Sequence, residues 1–137
     1  FTPSVIEPAG GLTRTLFAVL LSLYEEEELE KEVRTLFKFK FELAPIQIGI
    51  LPLSKKEELI EVCNSIKSEL GPYFRTEIDV TQSIGKRYRR QDEIGTPYCI
   101  TVDFDTLEDK AVTVRDRDSM SQERIKIEDI KSYFDNM

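Results

Sequence analysis

The chain has 137 residues, a formal net charge of −7 and no histidine. Apolar residues make up 40% and charged residues 33% of it, which is typical of one globular domain with a short extra segment. No apolar run approaches the roughly 20 residues that cross a bilayer, and no basic leader or cleavage site marks a signal peptide, so we expect no membrane association. The lack of histidine excludes histidine-based catalysis and most zinc sites. Cys63 and Cys99 lie in apolar patterns and are expected as core thiols of a reducing compartment.

The N-terminal part begins with an extended, proline-punctuated segment, residues 1–11. Apolar residues then recur at helical spacing and predict a helix over residues 12–24. This helix is apolar nearly all round, so we expect it to need a larger partner surface. Residues 25–34 are predicted as an acidic connector and residues 35–41 as an edge strand. A domain boundary is therefore expected between residues 1–42 and 43–137.

From Pro45 onwards, apolar strand patterns alternate with helical ones. Ser54 with Glu57 three residues later predicts a capping box at the start of the first of these helices. The predicted strands are 46–51, 74–80, 98–104, 111–115 and 124–127, and the predicted helices are 54–70, 83–95 and 128–134. Strand–helix–strand repeats indicate parallel pairing with right-handed crossovers, followed by an antiparallel meander. The sequence thus predicts an α/β fold with a five-stranded mixed sheet flanked by three helices.

The second of these helices carries an unusual concentration of positive charge. Four cations and one aromatic residue, Tyr88, occupy the five positions from 86 to 90. Such a cluster creates a local positive field that attracts phosphate whatever the net charge of the chain. A solvated helix face remains the alternative. The candidate phosphate contacts are Lys86, Arg87, Arg89 and Arg90.

Two segments near the predicted meander, residues 101–106 and 114–120, combine arginines, aspartates, a threonine and an aromatic ring. As strands, the first would place Thr101 and Asp103 on one face, and the second would direct Arg115 and Arg117 to one side. These groups are expected either as cross-strand ion pairs or as a surface that reads unpaired bases by hydrogen bonding and stacking. Asp92 and Glu93 are interpreted as a charge pair matched to Arg89 and Arg90 rather than as catalytic carboxylates.

The segment from Pro45 to Ile127 resembles the anticodon-binding domain of class IIa aminoacyl-tRNA synthetases, specifically the glycyl-tRNA synthetases of the archaeal and eukaryotic type. The resemblance is carried by the sequences Leu-Pro-Leu-Ser at 51–54, Ser-Ile-Gly-Lys-Arg-Tyr at 83–88, Asp-Glu-Ile-Gly-Thr-Pro at 92–97, Thr-Val-Asp-Phe-Asp-Thr at 101–106 and Val-Arg-Asp-Arg-Asp-Ser-Met at 114–120. It implies that Thr101, Phe104 and Arg117 contact anticodon bases, with Arg115 in support.

The N-terminal run Val-Ile-Glu-Pro-Ala-Gly-Gly-Leu-Thr-Arg at 5–14 resembles motif 3 of the class II catalytic domain, a strand that leads into a long helix. By this resemblance Arg14 packs on the adenine of ATP and meets its phosphates, and Glu7 helps to hold the amino acid. A guanidinium is planar and permanently charged, which suits both contacts. Ala9 departs from the serine usual in the glycine enzymes, which bears on glycine specificity.

Motifs 1 and 2 of the catalytic domain are not found in these 137 residues. The resemblance therefore implies the C-terminal part of a cytoplasmic glycine–tRNA ligase that is inactive alone. The complete enzyme would use ATP and Mg²⁺, with no cofactor or metal held by this chain, and its partners would be tRNA(Gly), the rest of the catalytic domain and a second subunit through the missing part. The alternatives are a non-catalytic relative, such as the accessory subunit of mitochondrial DNA polymerase, and a plain interaction domain.

Overall fold

The computed structural model describes residues 1–30 and 32–137. Residues 1–11 have no regular secondary structure, so the strand expected before the first helix is not formed. Helix α1, Leu12–Leu23, confirms the predicted helix and has no buried residue. No helix among the described residues is long and apolar enough to cross a bilayer.

The acidic connector was predicted wrongly, because most of it forms a β-hairpin. Strand β1, Tyr24–Glu28, pairs antiparallel with β2, Val33–Phe37. The glutamates are accommodated by cations: Arg34 pairs with Glu27 at 2.8 Å and Lys38 with Glu25 at 2.5 Å. Cross-strand ion pairs thus offset the low strand propensity of the glutamate run. Lys31, which the connector prediction included, lies outside the described residues.

The predicted five-stranded mixed sheet is confirmed. Its strands lie in the order β4-β3-β5-β6-β7. Strand β3 pairs parallel with both β4 and β5, and β6 pairs antiparallel with both β5 and β7. The strands are β3 Ile48–Pro52, β4 Thr76–Ile78, β5 Tyr98–Val102, β6 Ala111–Asp116 and β7 Gln122–Lys126.

The remaining helices differ from the prediction in detail. They are α2 Glu57–Leu70, α3 Ile84–Ile94, the short α4 Asp105–Asp109 and α5 Ile130–Asp135, which follows a 3₁₀ turn at Ile127–Asp129. The capping box is not formed: Lys56 occupies the N-cap of α2 without a side-chain bond. Helix α4 was missed, because β5 ends at Val102, where the Asp103 carboxylate accepts hydrogen bonds from the backbone N–H and the hydroxyl of Thr106, both at 2.9 Å.

The two faces of the sheet differ in polarity. One face packs against α2 and α5 and forms the apolar core, which includes Ile50, Ile100 and Val114 and, from the helices, Leu59 and Phe134. Cys63 belongs to this core, and both cysteines are free and buried as predicted. Burial raises the pKa of each thiol to about 12. The opposite face, which carries Thr101 and Arg115, lies under α3, and α3 in turn contacts β2 of the hairpin.

Candidate nucleic-acid interface

The first part of the candidate interface lies at the carboxyl ends of β3 and β5. The chain leaves β3 for β4 on one side and returns to β5 on the other, so these two neighbouring strands form a topological switch point, where α/β sheets usually bind ligands. Phe104, just beyond β5, is 41% exposed. The Lys56 ammonium, just beyond β3, lies 4.9 Å from the centroid of its ring. An exposed ring beside a cation suits stacking of an unpaired base next to its phosphate.

The second part is a cleft of about 510 Å³ beside the N-terminal half of α3. Its lining residues come from α3, β6, the start of β7 and nearby connections: Glu32, Ser83, Gly85, Lys86, Tyr88, Arg89, Arg115, Met120 and Gln122. The Arg115 guanidinium lies 4.7 Å from the centroid of the Tyr88 ring. The Tyr88 and Thr101 hydroxyls share a short hydrogen bond, and burial raises the pKa of Tyr88. The cleft therefore presents a fixed aromatic ring surrounded by cations.

Asp92 lies below this cleft and is fully buried. Its carboxylate accepts hydrogen bonds from Arg115 at 3.1 Å and from Arg34 of β2 at 2.8 Å, and Arg89 approaches to 3.5 Å. The predicted pairing of Asp92 with Arg89 is thus present, although Arg34 and Arg115 are its closer partners. Arg34 was not recognised from the sequence, because residues 34 and 92 are 58 positions apart.

Arg87 and Arg90 are used inside the fold. Arg87 is buried and donates hydrogen bonds to the backbone carbonyls of Pro52, Thr81 and Gln82, so it joins the end of β3 to the segment before α3. Arg90 was expected to match Asp92 and Glu93, but it pairs with Asp79 instead. Burial raises the pKa of Asp79, but hydrogen bonds from Thr81 and Arg90 outweigh that effect and lower it below its usual range.

Arg89 and Arg117 each hold an exposed carboxylate with the Nε and Nη2 side of the guanidinium. Arg89 Nε lies 2.9 Å from Glu32, whose side chain is 52% exposed. Arg117 binds Asp118 through two bonds of 2.8 and 3.1 Å, and the Asp118 side chain is 54% exposed. The Arg117 pair lowers the pKa of Asp118. Since a phosphate or a base edge presents acceptors of similar geometry, either one can replace such a carboxylate on the guanidinium.

Each remaining site residue is placed clearly by the structure. Lys86 is exposed at the cleft, with no ion pair among the described residues. Thr101 is buried beneath Tyr88. Glu7 and Arg14 are exposed, and no hydrogen bond or ion pair joins them to the rest of residues 1–30 and 32–137. Lys56 was missed, because only the strand order shows that the segment after β3 lies next to Phe104.

No group of three or more metal-ligating side chains occurs in the described part of the chain. The arrangement offers neither an acid–base pair nor a nucleophile beside a base. What it offers is an aromatic ring at the switch point, a cation-lined cleft and two guanidinium groups paired with exposed carboxylates. Such groups are suited to binding phosphates and bases.

Comparison with known proteins agrees with this chemistry. The family described as "Anticodon binding domain" (HGTP_anticodon) matches residues 47–137, more than half of the chain. The RNA binding domain of threonyl-tRNA synthetase from Cryptosporidium parvum has a similar structure, with a TM-score of 0.66 and 28% identity over 73% of this chain and 25% of that one.

Relatives of higher identity come from bacteria. Glycine–tRNA ligase of Lachnospira eligens is 58% identical over 99% of this chain and 29% of its own length. The ligase of Lachnoclostridium phytofermentans is 56% identical over 98% of this chain and 29% of its own length. The chain thus spans less than a third of these relatives. On the match over residues 47–137, the chain belongs to the anticodon-binding domain family.

Proposed function

We propose that this chain is the anticodon-binding part of a glycine–tRNA ligase and that its RNA partner is tRNA(Gly). The observation that carries the proposal is identity above 55% with glycine–tRNA ligases along almost the entire chain. The aromatic and cationic groups at the sheet edge supply the chemistry that such a partner requires. The resemblance pointed to the archaeal and eukaryotic type of enzyme. Since the relatives named here are bacterial, we propose a ligase of that same architecture that also occurs in bacteria.

The anticodon bases are proposed to lie along the surface that carries Thr101, Phe104 and Arg117, with Arg115 in support. Phe104 is the stacking residue, because its ring is the exposed one. Arg117 is anchored by Nη1, which donates to the carbonyls of Phe37 and Gly95, both at 2.9 Å. Its outer side is held by Asp118, so a base edge takes the place of that carboxylate. Thr101 and Arg115 act from beneath, through the Tyr88 ring.

The phosphates are proposed to meet the cationic face of α3. Lys86 and Arg89 line the cleft and are directly accessible there. Arg90 reaches the backbone of the RNA by exchanging Asp79, and its side chain is 34% exposed. Of the four predicted phosphate contacts, Arg87 is the least available for RNA, because its N–H groups already donate to three backbone carbonyls. Its contribution is to hold the surface in shape.

The catalytic role belongs to the complete ligase. There Arg14 is proposed to bind ATP and Glu7 the amino acid, and ATP with Mg²⁺ is used outside this chain. The rest of the catalytic domain and a second subunit are proposed as protein partners, and the cytoplasm as the compartment, since tRNA is charged there. The isolated chain is expected to form no glycyl-adenylate in a pyrophosphate-exchange assay.

Binding of a labelled anticodon stem-loop of tRNA(Gly) to the chain tests the proposal. We expect tighter binding than to a stem-loop of the same length with exchanged anticodon bases. Lys86→Ala should weaken the complex, whereas Lys126→Ala should leave it unchanged, because Lys126 lies at the opposite end of β7 from Gln122, which lines the cleft. Equal affinity for both stem-loops, or equal effects of the two lysine variants, contradicts the proposal.

A further inference from the structure

A completely buried guanidinium, that of Arg34, is one of the links that join the β1–β2 hairpin to the anticodon-binding domain. Arg34 is completely buried, and its nitrogens bond to three different parts of the chain. Nε donates to Asp92 of α3 at 2.8 Å, Nη1 to Glu27 of β1 at 2.8 Å, and Nη2 to the carbonyl of Arg117. Leu36, two residues further along β2, is also completely buried. The hairpin is therefore docked through both polar and apolar contacts.

Asp92 is the point at which this hairpin meets the RNA-binding cleft. The carboxylate that accepts from Arg34 also accepts from Arg115 at 3.1 Å. Arg115 in turn lies over the ring of Tyr88, which lines the cleft. A buried carboxylate shared by two guanidinium groups holds both in fixed positions, because without it Arg115 would be a buried, unpaired charge and Arg34 would keep only Glu27 as its ion-pair partner.

The hairpin is also continuous with α1. Strand β1 starts at Tyr24, directly after the last residue of α1, Leu23. The backbone N–H of Lys38, just beyond β2, donates to the carbonyl of Leu23 at 2.8 Å. Since no linker separates the helix from the hairpin, the orientation of the hairpin on the sheet sets the direction in which α1 leaves it.

We propose that Asp92 is a positioning residue that, through Arg34, fixes α1 relative to the RNA-binding surface. The inference rests on the proposed function, in which α1 carries Arg14 of the ATP site. Asp92 touches neither RNA nor the reacting atoms. Its role is to keep the catalytic domain, which contains α1, correctly oriented relative to a tRNA that is bound through its anticodon.

Hydrogen exchange on this chain tests the structural half of the inference without any activity. Asp92→Asn should lower the protection of the β2 amides at least about tenfold, because a charge-assisted bond to the hairpin is lost. Protection of β3 and β5 should stay the same. Asp109→Asn is the control, since Asp109 also pairs with an arginine, Arg124, but not with the hairpin. Unchanged β2 protection overturns the inference. Should Asp92→Asn fail to fold, Arg34→Met provides the same test from the other partner.

The functional half is tested in the full-length ligase that contains this chain. In Asp92→Asn, glycine-dependent pyrophosphate exchange should match the wild type, while kcat/KM for tRNA charging falls at least about tenfold more than stem-loop affinity does, as expected when an intact catalytic site is misplaced relative to the bound tRNA. Asp109→Asn should charge tRNA normally. Unchanged charging, or a loss matched by an equal loss of stem-loop affinity, overturns the inference. Failure of the proposed function looks different, since the wild-type protein would then bind no stem-loop and charge no tRNA.

Discussion

The guanidinium of Arg117 donates a hydrogen bond to the carbonyl of Gly95 at 2.9 Å. This bond connects the residue that follows β6 to the C-terminal end of α3. The same nitrogen donates to the carbonyl of Phe37 in β2. Three segments far apart in sequence therefore meet at one point, next to the proposed anticodon surface. The turn at Gly95 thus supports the hairpin as well as the end of a helix.

Gly95→Ala should destabilise the fold strongly. Gly95 has a φ of 87°, and an added Cβ would lie 2.4 Å from the Phe39 ring and 2.9 Å from the Phe37 carbonyl. The left-handed conformation alone costs a residue with a side chain about 1–2 kcal/mol, and the clash adds to it. We expect a loss of at least about 2 kcal/mol in the free energy of unfolding, measured by denaturant titration.

Gly85→Ala is the matched control for that substitution. Gly85 lies in α3, and a Cβ there would meet nothing within 4 Å. Alanine should therefore leave stability unchanged or raise it by up to about 1 kcal/mol, since it favours helix and restricts the unfolded chain. Equal losses for the two variants would show that the space at Gly95 does not matter.

Glu32→Gln should tighten binding of the anticodon stem-loop. The Glu32 carboxylate occupies Arg89, which we propose as a phosphate contact, and must leave before RNA can bind there. Removing its charge weakens that competition and lowers the local negative potential. We expect a several-fold lower Kd at low salt, with the gain shrinking as salt screens the pair. Glu128→Gln, on the 3₁₀ turn and paired with Lys126, serves as the control and should change nothing. Weaker binding in Glu32→Gln would mean that Glu32 supports the surface.

Most of the sheet could be predicted from sequence, because its strands are short apolar runs with local turn signals. Helix α3 was also clear, since Gly95 ends it in a left-handed cap. The hairpin was not predictable, because its glutamate-rich strand depends on Arg34 and on a carboxylate 58 residues away. Local patterns cannot show such a pair. For the same reason the sequence identified cations of α3 but could not tell that Arg87 is buried and Lys86 exposed.

Stability should decline as the pH falls below about 4, the ordinary range of aspartate. Burial raises the pKa of Asp79 and Asp103, but Thr81 with Arg90, and Arg124 with Thr106, lower each below its usual value. A folded-state pKa below the unfolded one contributes stability above the unfolded pKa, and this is lost as pH falls through the folded pKa. No histidine titrates between pH 5 and 8, so stability should be nearly constant there.

Asp79→Asn isolates one of these groups. The variant should be less stable than the wild type at pH 7, and the difference should shrink as the pH falls from about 5 towards 2. Thermal unfolding at a series of pH values measures it. A difference that does not depend on pH would show that the Asp79 charge contributes nothing.

Truncation tests the predicted boundary between residues 42 and 43. Removing residues 1–23 deletes α1, whose apolar side chains such as Leu12 and Phe17 are exposed, and should improve solubility with little loss of stability. Removing residues 1–42 also deletes Arg34 and Leu36, which leaves Asp92 with one close partner fewer. We expect the shorter chain to be less stable by about 3 kcal/mol or more. Equal stability of the two truncated chains would support the boundary at 42/43 instead.

The final prediction separates base contacts from phosphate contacts. Arg117→Ala should cost about 1–3 kcal/mol for the tRNA(Gly) stem-loop and little for one with exchanged anticodon bases, because base edges carry the sequence information. Arg89→Ala should weaken the binding of both stem-loops alike and reduce the slope of log affinity against log salt by about one. Each phosphate contact releases about one condensed counterion when it forms, so the variant, with one contact fewer, releases fewer counterions. Binding of both RNAs across a salt series, with unfolding curves to check that each variant is folded, measures this. If a folded Arg117→Ala variant weakens both stem-loops equally, Arg117 acts only through its anchors at Phe37 and Gly95.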